Sequence, residues 1–382
     1  MTAFLRFFAL TLCLLLVGSL VTLAAPDEIA TPSHSVAAPA LSAASAVLLD
    51  VRGERFLHEK EADVRRPMAS TTKIMTALVV LEQGDLTATV TVPREAVGVE
   101  GSSVYLFEGE QITVKDLLYA LLLSSANDAA TALAIHVAGS IEAFADLMNQ
   151  RAAELGLQNT HFTNPHGLYD EAHYTTAREL ALITAAALQN PTFADIVATK
   201  RHDAKQNGTD ATRLFVNHNR LLHTFEGACG VKTGFTKKSG RCLVSAAERD
   251  GLLLVAVTLS APDDWHDHTG LLSWGFAGYE GFSPMVAPLS LPVVGGTEKT
   301  AAILPEGEVY LTLPRGHAPV TAHLELPRFL YAGQAQGTRV GQLVYRCEGR
   351  VIATLPLVTS TDVPKATPHL TLWQKLKHLF AD

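Results

Sequence analysis

The stretch Arg65-Arg66-Pro67-Met68-Ala69-Ser70-Thr71-Thr72-Lys73-Ile74-Met75-Thr76-Ala77-Leu78 organises the chain. Pro67 suits the start of a helix, because a proline in the first turn forfeits no hydrogen bond. The run 71–81 is largely helix-compatible and Gly84 stops it. Ser70 therefore falls at or just before a helix N-terminus, and Lys73 lies one turn on along the same face. In that geometry a lysine amine can take the proton of a serine nucleophile. The electropositive helix end and a second lysine expected nearby both favour the neutral amine. Alone, Ser-x-x-Lys also reads as a capping serine followed by a solvated lysine. The choice depends on two motifs downstream.

The first follows an apolar helix. Thr113-x-x-Asp116 resembles a capping box with Asp in place of Glu. Val114, Leu117, Leu118, Leu121 and Leu122 then repeat at helical spacing. The pattern breaks at Ser124-Ser125-Ala126-Asn127, and a second apolar helix runs over 128–137 to Gly139. Two readings fit the break. Its polar residues either satisfy local backbone groups, or they face a cleft, with Ser125 passing a proton and the Asn127 amide holding a substrate backbone group.

The second is Gly230-Val231-Lys232-Thr233-Gly234-Phe235-Thr236. Residues 240–247 and 252–259 read as strands joined by an Asp250-Gly251 turn, which puts Lys232 on a strand edging the site. A cation and the Thr233 hydroxyl suit a carboxylate, and Gly234 lets a ligand approach the backbone. An ordinary strand end is the competing reading.

The rest of the chain sets the frame. At 382 residues it has room for two domains, and 48% apolar with 18% charged residues is a globular composition. A net charge of −8, without a basic cluster interleaved with aromatics, argues against a nucleic-acid partner. Arg6, the apolar run 7–21 and Thr22-Leu23-Ala24-Ala25 read as a secretory signal over 1–25, or alternatively as an uncleaved anchor. Residues 26–42, rich in Ala, Pro and Ser, read as a flexible linker. Residues 43–50 and 55–58 read as a hairpin, Ser140 as the cap of a helix ending at Gly156, and Thr176 as the start of one reaching Gln189, closed by Asn190-Pro191. The polar loop 159–175 holds several histidines at spacings that fit no common metal-ligand set. Residues 271–277 read as a helix closing a 43–281 domain. Beyond it, short strands at 309–313, 322–326, 341–347 and 350–357 suggest a β-sandwich over 282–362. Leu372, Trp373, Leu376, Leu379 and Phe380 share one face of a helix over 368–382, which fits either an interfacial membrane anchor or a helix docked on its own domain. Of the four cysteines, Cys13 lies in the signal; Cys229 and Cys242 flank a hairpin and are a candidate disulfide pair.

Ser-x-x-Lys, Ser-x-Asn and Lys-Thr-Gly, in this order and at these separations, resemble the penicillin-recognising serine enzymes. More narrowly the chain resembles the low-molecular-mass penicillin-binding proteins, the D-alanyl-D-alanine carboxypeptidases of peptidase family S11. The match is carried by 67–77, 121–130, 160–168, 175–180 and 230–240, and Ala126 departs from the glycine commonest at its position. The resemblance implies an α/β (α+β) catalytic domain with an antiparallel sheet, a helical cluster and a cleft between them. It implies removal of the terminal D-alanine from peptidoglycan pentapeptide stems, with Ser70 as nucleophile, Lys73 as base and Ser125 as proton carrier. Asn127, Lys232, Thr233, Gly234 and the Phe235 backbone would bind substrate, and the Ser70 and Phe235 N–H groups would form the oxyanion hole. β-Lactams would acylate Ser70, no metal or organic cofactor is implied, and the protein would work at the outer face of the cytoplasmic membrane. Class A β-lactamases share the motifs in looser form but use a Glu-x-x-Leu-Asn loop, which is not found after Asn127. A non-catalytic penicillin-binding sensor is a further alternative, disfavoured by retention of all the motif residues.

Overall fold

A computed structural model describes residues 37–205 and 212–367. The proposed signal, most of the linker and the amphipathic segment 368–382 lie outside the described residues. The chain divides into two units, one holding 33–287 with 308–317, the other 288–307 with the C-terminal residues from 318 onward.

The larger unit holds, in chain order, the strands β1 (Ser45–Asp50), β2 (Arg55–Lys60), β3 (Thr89–Thr91), β4 (Gln111–Thr113), β5 (Arg201–Lys205), β6 (Thr212–Val216), β7 (Ala228–Thr236), β8 (Gly240–Arg249) and β9 (Leu252–Leu259), and it is built on a five-stranded antiparallel sheet in the order β2-β1-β9-β8-β7. Both faces are covered. Val47 and Leu49 of β1, Val255 and Val257 of β9 and Val244 of β8 enter one core, while Ala46 and Leu48, Leu254 and Ala256, and Ala247 enter the other. The period of two alternates side chains between faces, and burial on both faces is why β1 and β9 read as almost unbroken apolar runs. Asp250 and Gly251 both have positive φ (50° and 78°), as a tight hairpin turn between β8 and β9 requires.

Most of the helices pack on the first face. They are α1 (Lys73–Gln83), α2 (Val114–Leu123), α3 (Asn127–Ala138), α4 (Ile141–Glu154), α5 (Ala177–Leu188) and α6 (Pro191–Ala198). Thr113 caps α2 by accepting from Asp116 N at 3.0 Å, and Ser140 caps α4 by accepting from Ala143 N at 3.0 Å. α1 buries Ile74, Met75, Leu78 and Val79, each worth about 1.5–3 kcal/mol of apolar transfer. Gly84 ends it in an extended conformation. A short helix, α7 (Leu221–Thr224), precedes β7, and α8 (Asp264–Gly278) covers the second face.

The helix from Thr176 ends at Leu188, just before Asn190-Pro191 as expected, and the pair also opens the next helix: Asn190 Oδ1 caps α6, accepting from Thr192 N at 2.9 Å, with Pro191 in its first turn. Other expectations change. Ser42, the last residue of the expected linker, is tied down, donating to the buried Asp267 carboxylate from its backbone (2.9 Å) and hydroxyl (2.8 Å). The segment expected at 309–313 as a strand of the C-terminal β domain is a strand over Leu311–Pro314 that pairs with Tyr279–Phe282 in the larger unit. There Tyr310 and Thr312 both donate to the Asp50 carboxylate. The disulfide does not form. Cys242 sits opposite Gly234, whereas Cys229 lies at the far end of the ladder near Ala246 and Ala247. Four strand residues, about 13 Å, separate them, beyond the reach of an S–S bond.

The smaller unit is all-β. Leu289–Val294, Thr300–Pro305, Thr321–Glu325, Leu330–Tyr331, Arg339–Cys347 and Arg350–Thr359 hydrogen-bond into one six-stranded sheet. Its longest hairpin turns at Glu348-Gly349, again with positive φ at both positions.

Candidate active site

Ser70 sits on a 3-10 turn, Ala69–Thr72, that runs into α1, so Lys73 is the first α-helical residue. Lys73 Nζ lies 2.9 Å from Ser70 Oγ, 2.7 Å from Asn127 Oδ1 and 2.7 Å from the His166 carbonyl oxygen. Asn127 Oδ1 and the carbonyl can only accept. A neutral amine has two hydrogens and one lone pair. The hydrogens go to those two oxygens, and the lone pair is left facing the serine hydroxyl. The surroundings favour that state. Lys73 is completely buried, and burial, reinforced by the charge of Lys232, holds its pKa well below the usual lysine range against the opposing pull of Asp128.

The backbone around the nucleophile is forced. Ala69 has φ +47° and Ser125 φ +59°, conformations costly for residues with a Cβ. Ser125 occupies the break between α2 and α3, the turn that puts it in the cleft wall. Gly167 covers Ala69: a Cβ at Gly167 would lie 1.9 Å from the Ala69 carbonyl oxygen. His173 braces the same turn. The Thr163 N–H donates to its Nδ1 at 3.0 Å, which leaves Nε2 to donate to Thr72 Oγ1 at 2.8 Å. Burial depresses the His173 pKa to about 4, so this ring is neutral near pH 7.

β7 is an edge strand, so alternate backbone groups turn away from β8 toward the cleft. It passes close to the nucleophile. A Cβ on Gly234 would stand 3.1 Å from Ser70 N and 3.2 Å from Thr71 N, so glycine is what lets strand and turn approach. Lys232 is 1% exposed, its Nζ donates to the Thr233 carbonyl at 2.9 Å, and burial lowers its pKa to about 7.

Ser70, Ser125, Thr233, Gly234 and Phe235 line one cleft of about 340 Å³, with Ser102, His218, Arg220, Arg241, Asp264 and Trp265 completing its wall. Lys73, Asn127 and Lys232 stand behind that surface. Asn127, read from sequence as a clamp for substrate backbone, is engaged at both ends, by Lys73 and by donation from Nδ2 to the Glu100 carbonyl at 2.5 Å. A larger cavity of about 670 Å³, lined by Leu49, Leu78, Arg151, Leu182 and Pro191 among others, contains none of these groups.

The sequence reading missed Asp128. Fully buried, it accepts from Ser103 Oγ (2.6 Å), Val104 N (3.1 Å) and Leu106 N (3.0 Å), pinning the loop beside the cleft. Its signal was a carboxylate directly after Asn127 in an otherwise apolar helix. It also missed the His166 carbonyl and the Arg241–Asp264 pair, which no local pattern marks.

Comparison with known proteins adds independent findings. Residues 32–263 match the family model for D-alanyl-D-alanine carboxypeptidases (Peptidase S11), and residues 286–365 match the model of the penicillin-binding protein 5 C-terminal domain. The D-alanyl-D-alanine carboxypeptidase DacF of Bacillus subtilis is 30% identical over 92% of this chain and 94% of its own. DacA of Escherichia coli is 31% identical over 93% and 92% respectively. Among solved structures, penicillin-binding protein 5 from Haemophilus influenzae superposes with a TM-score of 0.71 at 31% identity, covering 86% of this chain and all of that one. The Streptomyces K15 DD-transpeptidase gives 0.60 at 36% identity over 63% of this chain.

Proposed function

This chain belongs to the D-alanyl-D-alanine carboxypeptidases of peptidase family S11, and from that premise we propose how its residues carry out the reaction. The enzyme is a serine hydrolase that removes the terminal D-alanine from a D-Ala-D-Ala peptide. The observation that carries the assignment of roles is the fully buried Lys73 amine, 2.9 Å from Ser70 Oγ. Lys73 takes the hydroxyl proton as Ser70 attacks the carbonyl between the two D-alanines. The Ser70 and Phe235 N–H groups receive the developing oxyanion, a contribution of about 3–4 kcal/mol per donor. The C–N bond then breaks. The proton held by Lys73 passes through Ser125 to the leaving amine, D-alanine departs, and an acyl ester remains on Ser70. Water, activated by the again neutral Lys73, hydrolyses the ester and restores the serine.

The substrate is the peptidoglycan stem, and β-lactams occupy the same cleft and acylate Ser70. Residues 1–25 direct the chain across the cytoplasmic membrane, and 368–382 hold it peripherally on the outer face. The composition of both segments supports this reading.

The decisive experiment follows free D-alanine from a diacyl-Lys-D-Ala-D-Ala peptide with wild type and Ser70→Ala, alongside a labelled penicillin. Ser70-dependent release with a long-lived adduct is expected. An adduct without release would mean a sensor, and rapid turnover of the penicillin would mean a β-lactamase.

A further inference from the structure

In the smaller unit, one group of apolar side chains faces solvent. The Leu330–Tyr331 strand lies at an edge of the six-stranded sheet and pairs in parallel with Leu289–Val294, with Val293 opposite Leu330 and Val294 opposite Tyr331. The period of two sends Leu330 inward, where it is buried, and turns Tyr331 and Val294 outward together. Phe329 joins them, its ring 5.3 Å from that of Tyr331 and edge-on to it. Tyr331 is 64% exposed, Val294 47% and Phe329 41%. Clustered apolar exposure of this kind marks a contact site, as scattered single residues do not. Two cations flank the cluster. Arg328 precedes Phe329, and Lys365 crosses Gly333, its Cε 2.6 Å from where a Cβ on that glycine would stand. Both cations are exposed, and among the described residues neither has an ion-pair partner. Lys365 is here because the chain passes through this spot on its way to the tail. Gly333 N donates to the Val363 carbonyl at 2.6 Å, and Ala366 N donates to the carbonyl of Gly295, next to Val294, at 2.9 Å. The amphipathic segment 368–382 therefore begins beside the aromatic pair.

We propose that Phe329, Tyr331 and Val294, with Arg328 and Lys365, form a second membrane-contact surface that seats the β domain itself on an anionic lipid interface next to the tail. The chemistry fits. Aromatic rings settle at the boundary between headgroups and acyl chains, and a phenol keeps its hydroxyl in the wet layer. Arginine and lysine at the rim meet the lipid phosphates. The place in the chain fits as well, because a tail that enters the headgroup layer carries the patch beside it to the same surface. A single tether leaves the domain free to swivel. A second contact on the same unit fixes its tilt and lengthens its residence, since the second binding event is intramolecular. The inference rests on the reading of 368–382 as a membrane tail, and its test separates the two.

The test measures partition of the mature protein onto vesicles of phosphatidylethanolamine with phosphatidylglycerol, and onto vesicles of phosphatidylcholine alone. Phe329→Ser combined with Tyr331→Ser should weaken binding to both about 10- to 30-fold, as expected when two part-exposed rings no longer enter the interface. Arg328→Gln combined with Lys365→Gln should weaken binding about 5- to 30-fold on the anionic vesicles only. Leu324→Ser removes an apolar residue that is 50% exposed on the opposite edge of the same sheet, and should change nothing. Tyr331→Trp should bind at least as tightly as wild type, and its added emission should shift to the blue with vesicles, which keeps the test open if the serine double variant folds poorly. Deleting 368–382 reads the tail separately and should weaken binding more than either double variant. Wild-type binding by the Phe329/Tyr331 double variant, with binding lost on tail deletion, would overturn the surface and leave the tail. Unchanged binding on tail deletion, with loss in that double variant, would overturn the tail and keep the surface. A loss in Leu324→Ser as large as in the double variant would overturn the surface, as would a protein partner lost by the double variant while its vesicle binding stays at the wild-type level.

Discussion

At the scale of the residue, the site depends on spaces that hold no side chain. Gly234 lets β7 lie against the turn carrying Ser70, with three backbone atoms within about 3.2 Å of where a Cβ would be. Gly234→Ala would have to push that turn by a few tenths of an ångström. The expected result is a stability loss of about 1–2 kcal/mol and a fall of about 10- to 100-fold in the rate of acylation, because reactivity depends on sub-ångström placement. Adduct formation with a labelled penicillin, read beside the melting temperature, checks this; acylation at the wild-type rate would mean that strand and turn are not held in contact. Titration belongs to this scale as well. The role of base proposed for Lys73 rests on its burial, which leaves the protonated form no water to solvate it. Lys232 titrates near 7 through burial alone.

At the scale of the element, the break between α2 and α3 places both Ser125 and Asn127, and the next residue, Asp128, holds the 103–106 loop. Asp128→Ala would strand the buried Leu106 N–H and the Val104 N–H without acceptors. Each costs about 1–3 kcal/mol, so a total loss of about 3–5 kcal/mol is expected, with faster amide hydrogen exchange at 104–106; unchanged exchange there would refute the anchoring role. This break was legible from the stop in hydrophobic period and from the capping residues around it. Less legible were α6 and the hairpin of Arg201–Lys205 with Thr212–Val216. An Asn-Pro pair ends one helix as naturally as it begins the next. The hairpin strands carry charged and polar residues at most positions, so no clean alternation announces them.

At the scale of the whole molecule, the proposed membrane tether would raise the enzyme's effective concentration beside the polymer it acts on. Removing residues 368–382 should release mature protein from the membrane fraction while hydrolysis of a soluble peptide stays unchanged. Retention on the membrane after the deletion would show that the tail is not the anchor, or that the N-terminal segment was never cleaved. The composition shift after about residue 282 announced the second unit, but not where each strand pairs. The Leu311–Pro314 strand looks like its neighbours in sequence and yet joins Tyr279–Phe282 in the larger unit, where Thr312 and Tyr310 satisfy the buried Asp50.

Three motifs in order carry the resemblance that implies the reaction; by itself the sequence determined the placement of Lys73 one turn after Ser70, the hairpin turns and most of the core. These placements follow from local spacing, from periods of two and 3.6, and from turn chemistry, all of which act over a few residues. Only the tertiary structure decided the complete burial of Lys73, the two-sided engagement of Asn127, the separation of Cys229 from Cys242 and the clamp of Asp264 on Arg241. Each of these is set by solvent exclusion or by strand register between segments far apart in the chain. Desolvation and register are properties of packed surfaces, and no local run of residues carries them.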